Sequence, residues 1–172
     1  MAVIESMQKE LYPELEQNCA KVEKTVGDFA RDTYGFRPDF QGVEVIVKEQ
    51  PTIYTLLLKR VGDYVKAVAV PIGKALGVYK PQPEGLNRIE LDPTADRNVA
   101  MHEYLHYLQD CLGAIKRVTE ALGQKARSYL EGGATYATER VTGKNSGVYP
   151  RERAAFAREV ERVGLRRAFA YA

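Results

Sequence analysis

The feature that most constrains this chain is a pair of histidines four residues apart, His102 and His106, separated by Glu103-Tyr104-Leu105. They are the only 2 histidines among 172 residues. Residues four apart on an α-helix lie on one face, so the pattern H-E-x-x-H reads as a helix that aims two imidazoles at one point. Two neutral imidazoles suit a zinc ion, which accepts a tetrahedral site with one open position. Glu103 follows the first imidazole and is placed to reach water at that position. Zinc brings the pKa of such water to about 7, so a carboxylate can act as its general base and a polarised carbonyl can be attacked. Two histidines placed at random stand four apart in about 1% of chains of this size, and requiring the glutamate lowers this to roughly 0.1%. The competing reading, a surface His-Glu pair or hydrogen-bonded core histidines, is correspondingly disfavoured.

A catalytic zinc site takes a third protein ligand. Asp110, Glu120, Glu131 and Glu139 are the downstream candidates. Asp110 is one turn beyond His106, too far along the same helix to close a tetrahedron. Glu131 is preferred: it follows His106 by 25 positions (131 − 106), room for a linker and a returning helix. It is followed by Gly132-Gly133. Two glycines inside a helix cost about 1 kcal/mol each relative to alanine, and close approach to the metal helix is a physical reason to keep them. The alternative is that the glycines break the helix and leave Glu131 as a solvated end residue.

The rest of the chain reads as α+β. Residues 5 to about 33 show apolar positions at helical spacing, ended by Gly35 and Pro38. Val43 to Lys48 alternates and is β-branched, as a strand should be. Thr52 to Ala75 is ambiguous and is read as two short helices. Ala75 to Tyr79 and Arg88 to Asp92 read as paired strands around the turn Lys80 to Gly85. Asp92-Pro93-Thr94 stops the second strand and can cap a helix from about Ala95 to Cys111. Further helices are expected over Ala114–Gln124, Arg127–Thr142 and Arg151 to about Phe169, with a loop at Gly143–Gly147. The expected organisation is one domain over residues 1–172, with a core at about 43–142 and a C-terminal helix and tail at 150–172.

Composition narrows the function classes. A net charge of +2 with no isolated basic block argues against a nucleic-acid partner. The arginines from Arg151 to Arg167 are interleaved with glutamates, the pattern of a solvated helix face. Val65 to Val78 is too short and too interrupted to span a membrane, and the charged N-terminus carries no secretory signal. Cytoplasmic location is therefore expected, with Cys19 and Cys111 as reduced, buried thiols. Oligomeric state is left open.

With these motifs in hand, the sequence resembles the gluzincin metallopeptidases. His102-Glu103-x-x-His106 matches their metal helix, and Glu131-Gly132-Gly133-Ala134-x-Tyr136 looks like their glutamate helix. The strand–turn–strand before the metal helix is also similar, so the resemblance covers about residues 75 to 140. The length is that of the small single-domain members sometimes called minigluzincins. The resemblance implies a zincin-like fold with a small mixed sheet, an N-terminal backing helix, a metal helix and a glutamate helix. It also implies His102, His106 and Glu131 as zinc ligands and Glu103 as general base and acid. A peptide or protein substrate would bind along an edge strand near Ala75 to Tyr79.

Two departures give a rival reading. Where thermolysin-like enzymes carry an Asp that orients a histidine, this chain has Thr135, and no third histidine is present to stabilise an oxyanion. Tyr149 and Tyr171 are the tyrosines weighed for that task, without support from spacing. Tyr136 is expected in the core. The rival is a zinc-binding, catalytically weak domain that regulates or binds partners. The tail Leu165–Ala172 has two possible placements: over the cleft, making an enzyme latent, or packed on the N-terminal helix through Phe169 and Tyr171.

Overall fold

The computed structural model describes residues 15–48, 76–82, 85–92 and 95–172. The reading of Thr52–Ala75 as helices, the helical reading of residues 5–14, and Pro93-Thr94 as a strand stop lie outside these residues. The described chain is α+β. In order its main elements are α1 (Leu15–Tyr34), β1 (Val43–Val47), β2 (Gly77–Lys80), β3 (Asn87–Leu91), α2 (Arg97–Cys111), α3 (Ala114–Leu122), α4 (Ala126–Thr142), α5 (Pro150–Val163) and α6 (Leu165–Ala170).

The alternation of β1 puts Val43, Val45 and Val47 into the core and Glu44 and Ile46 on the other face. The sheet is mixed, in the order β1-β3-β2. β1 runs parallel to β3, and β2 returns antiparallel to β3 as the expected hairpin, with Tyr79 opposite Ile89. Both hairpin strands lie a residue or two from their expected bounds. α2 starts at Arg97 rather than Ala95, because Asp96 is its cap: the carboxylate accepts from the backbone N–H groups of Asn98 at 2.8 Å and Val99 at 3.0 Å.

α1 packs against α2. Cys19, Val22, Val26 and Ala30 are buried on its inner face. The Tyr104 hydroxyl on α2 donates to Glu23 at 3.2 Å, so the one buried carboxylate of that face has a partner. Cys111, by contrast, is exposed at the last residue of α2, so the expectation of two buried thiols holds for Cys19 alone. No described helix is long and apolar enough to cross a membrane.

The single C-terminal helix expected over residues 151–169 is two helices. Gly164, at φ 82°, takes a conformation that L side chains rarely adopt, which ends α5 and starts α6. The turn directs Phe169 into the core, where it is 1% exposed and packs edge-on against Phe29 with centroids 5.9 Å apart. Arg117 ties the tail down by donating to the carbonyl oxygens of Ala170 at 2.6 Å and Tyr171 at 3.2 Å. The tail is therefore packing on α1 and does not line the cleft described below. Replacing Phe169 by Ala should cost about 3–5 kcal/mol of stability, the range for a buried Phe. Deleting residues 165–172 should likewise lower the melting temperature in thermal denaturation. An unchanged melting temperature with raised activity would instead restore the plug.

Candidate metal centre

Two helices bring the three candidate ligands together. α2 supplies His102 and His106 from one face, and α4 runs alongside with Glu131. The three side chains place one donor atom each within 4.8 Å of the others and could hold a metal ion. Nε2 of His102 is 3.0 Å from Oε2 of Glu131, Nε2 of His106 is 3.3 Å from the same oxygen, and the two nitrogens are 3.1 Å apart. Donor atoms about 2.0–2.1 Å from a tetrahedral zinc lie roughly 3.3 Å from each other. The observed triangle, with sides of 3.0, 3.1 and 3.3 Å, has the dimensions of one face of such a tetrahedron. The other oxygen of Glu131, Oε1, is turned to Arg127 Nε at 3.6 Å.

The electrostatics favour positive charge at this point. Burial alone would raise the Glu131 carboxyl, but the imidazoles of His102 and His106 hold it well below the usual carboxylate range. Burial works against a charged His106, yet its bond to Glu131 and the charges of Glu103 and Glu131 raise its affinity for a proton. A divalent cation would satisfy the same donors and displace that proton.

α4 is continuous through Gly132-Gly133, so the glycines are not a break. They serve two neighbours rather than one. A β-carbon on Gly133 would stand 2.8 Å from Gln109 Nε2 on α2, the close approach expected from the sequence. A β-carbon on Gly132 would meet the backbone of Glu152, 2.7 Å from its carbonyl carbon, so that glycine seats α5 instead.

Glu103 is 6% exposed, one residue past the first ligand and on the side of α2 that faces β2. Gly77 makes room for it: a β-carbon there would lie 2.7 Å from Glu103 Cγ and 2.9 Å from Oε1. Burial raises the Glu103 carboxyl, while the nearby imidazoles and the backbone N–H of Tyr79 pull it back. The result is a shielded carboxylate with raised proton affinity, the property a general base needs near neutral pH.

β2 borders the cleft. The backbone N–H of Asp92 donates to Leu76 O at 2.7 Å. By the alternation of an antiparallel ladder, residues 76 and 78 then turn their polar backbone groups to β3, and Gly77 and Tyr79 turn theirs away. The cleft, of about 1180 Å³, runs from this strand past His102, Glu103 and His106 to the loop Asn145–Tyr149. It is larger than most small-ligand pockets and fits an extended segment. Leu76 and Val148, two of the exposed large apolar residues among those described, are on its rim.

The other acidic candidates are elsewhere. Asp110 accepts from the Tyr79 hydroxyl at 2.6 Å. Glu139 binds Arg153 at 2.8 Å and supports the loop through the backbone N–H of Ser146 at 3.2 Å. Glu120 is exposed near Lys116. Tyr136 packs on Phe156, as expected for a core residue. Thr135 is buried, and its hydroxyl has no hydrogen-bond partner among the described residues.

Two residues beside the site, Gln109 and Arg127, are not read from the sequence, and a third, Tyr149, is read there only as one of two tyrosines without support from spacing. Gln109 is fully buried, one turn beyond His106, and its spacing of three was the available signal. Arg127 precedes Glu131 by one turn. Tyr149 stacks on His102, with centroids 6.1 Å apart and planes 18° apart, because the loop after α4 folds back over the cleft. Nothing local in the sequence predicts that return.

No family model, no curated protein and no solved structure matches this chain. The geometry therefore carries the functional argument alone. Purified protein should hold one zinc per chain by elemental analysis. His102→Ala and Glu131→Ala should each remove it or weaken it severely, while Glu120→Ala should not. Zinc retained in both ligand variants would dissolve the centre.

Proposed function

We propose that this chain is a zinc-dependent peptidase of gluzincin type, with His102, His106 and Glu131 as ligands. The observation that carries the reading is a donor triangle of tetrahedral dimensions beside a buried carboxylate, next to β2, the edge strand among the described residues. Zinc when bound supplies Lewis acidity, which acidifies water and polarises a substrate carbonyl.

The chain's own groups would do the rest. An extended peptide lies along β2, taking up the outward backbone groups of Gly77 and the carbonyl of Tyr79, whose N–H is held by Glu103. Glu103 removes a proton from the attacking water. Attack on the scissile carbonyl carbon gives a tetrahedral carbon bearing negative charge on oxygen. Glu103 then returns the proton to the leaving amine as the C–N bond breaks, so it ends as it began.

Tyr149, which stacks on His102 and lines the cleft, is the group assigned to the developing oxyanion. It adopts a left-handed backbone conformation, φ 48° and ψ 48°, costly for a non-glycine residue at about 1–3 kcal/mol. Tyr149 and Arg127 both line the cleft, Arg127 within reach of the Glu131 carboxylate. Burial and the neighbouring Glu131 raise the phenol above its ordinary value, so it is protonated at neutral pH and available as a donor. This tyrosine addresses the absence of a third histidine, the main support for the regulator reading.

Glu103→Gln should keep zinc, since Glu103 is not a ligand, and lose cleavage of an unstructured peptide library by about 10²–10⁴-fold, the usual worth of a general base. Tyr149→Phe should lower kcat by about 10²–10³-fold with zinc retained, as for loss of one oxyanion donor. A zinc-loaded wild type that cleaves no peptide would hand the site to the regulatory module.

A further inference from the structure

We propose that Gln109 fixes the tautomer of His106, and that Gly133 is glycine so that Gln109 can do so. The proposal rests on the metal-site reading above and concerns a residue that holds a ligand rather than one that touches the ion. Gln109 is 0% exposed and lies between the metal helix and the glutamate helix. Its Oε1 is 2.8 Å from Nδ1 of His106, and its Nε2 donates to the carbonyl oxygen of Leu130 at 3.2 Å.

The orientation of this amide follows from its partners. The Leu130 carbonyl can only accept, so the amide nitrogen must face it. The amide oxygen then faces the imidazole, and it too can only accept. Nδ1 of His106 must therefore carry the proton. In the neutral ring this leaves Nε2 with its lone pair, and Nε2 is the atom aimed at His102 and Glu131. The reversed amide would set two carbonyl oxygens face to face in a buried site.

The same side chain joins both halves of the centre. Leu130 immediately precedes the ligand Glu131, so one amide connects the imidazole of α2 to the backbone of α4 at the ligand turn. The room for it is supplied by Gly133, whose β-carbon would be 2.8 Å from the amide nitrogen and 3.0 Å from Phe156 Cε2. An added β-carbon would therefore crowd the amide and the Phe156 ring together. Partners that orient a ligand histidine are commonly carboxylates or backbone carbonyls, and removing one typically costs 10–100-fold in metal affinity. Here a neutral amide fills that role from the metal helix itself.

The test is zinc affinity by chelator competition in wild type, Gln109→Met and Gly133→Ala. Gln109→Met keeps the length of the side chain and removes the acceptor. Both variants should bind zinc about 10–100-fold more weakly, whereas Phe169→Leu, a destabilising change far from the site, should bind as wild type does. Unchanged affinity in Gln109→Met, with wild type binding zinc normally, would overturn the proposal and leave the metal site standing. Absence of zinc in wild type would instead remove the reading beneath it. If the variants do not fold, ring-nitrogen NMR of the zinc-loaded wild type decides. With only 2 histidines the spectrum holds two ring systems. His106 should show a protected Nδ1–H and a metal-bound Nε2, and the opposite arrangement would sink the proposal.

Discussion

Three electron-rich atoms within 3.0–3.3 Å of one another repel unless a proton or a cation lies among them, and the structure is arranged around that point. Two of the atoms come from one helix, where the spacing of four fixes their direction. The third comes from a second helix that must approach closely and in register. The sheet, the backing helix and the C-terminal helices all contribute to that approach. α1 supports α2 from behind through Tyr104 and Glu23. α5 presses on the outer face of α4, in the groove that Gly132 leaves open.

The same economy of space governs the side of α2 that faces β2. Glu103 is held between its helix and β2 because Gly77 has no side chain. The backbone N–H of Tyr79 then meets the carboxylate, and the phenol of the same residue anchors Asp110 at the other end of the helix. One short strand therefore positions the proposed base, ties down the metal helix and borders the cleft. Glycines at 77, 132 and 133 mark three places where elements must touch.

How much of this is legible in the sequence depends on the range of the interaction. His102, Glu103 and His106 are readable because they are local to one helix, and the helical period alone brings them together. Glu131 is readable at longer range because its two glycines advertise a close contact, although only Gly133 makes the contact expected. The strands are readable from alternation, with their ends displaced by a residue or two. The capping Asp96 lies one residue past the helix start expected from sequence, since several acidic and hydroxyl residues there could serve. The turn at Gly164 that carries Phe169 into the core is not legible, since Arg151 to about Phe169 reads as one helix. Tyr149 is the least legible, since its position depends on where a seven-residue return, from Gly143 to Tyr149, folds in space. The composition of that loop announces a turn and says nothing of the ring it will cover.

The account stands or falls on what occupies the donor triangle. X-ray absorption at the zinc edge, on protein purified without added metal, reads this directly. The account predicts a four-coordinate shell of nitrogen and oxygen at about 2.0–2.1 Å, with the outer-shell scattering of two imidazoles. A six-coordinate shell without imidazole scattering, or a sulfur neighbour at about 2.3 Å, would contradict it.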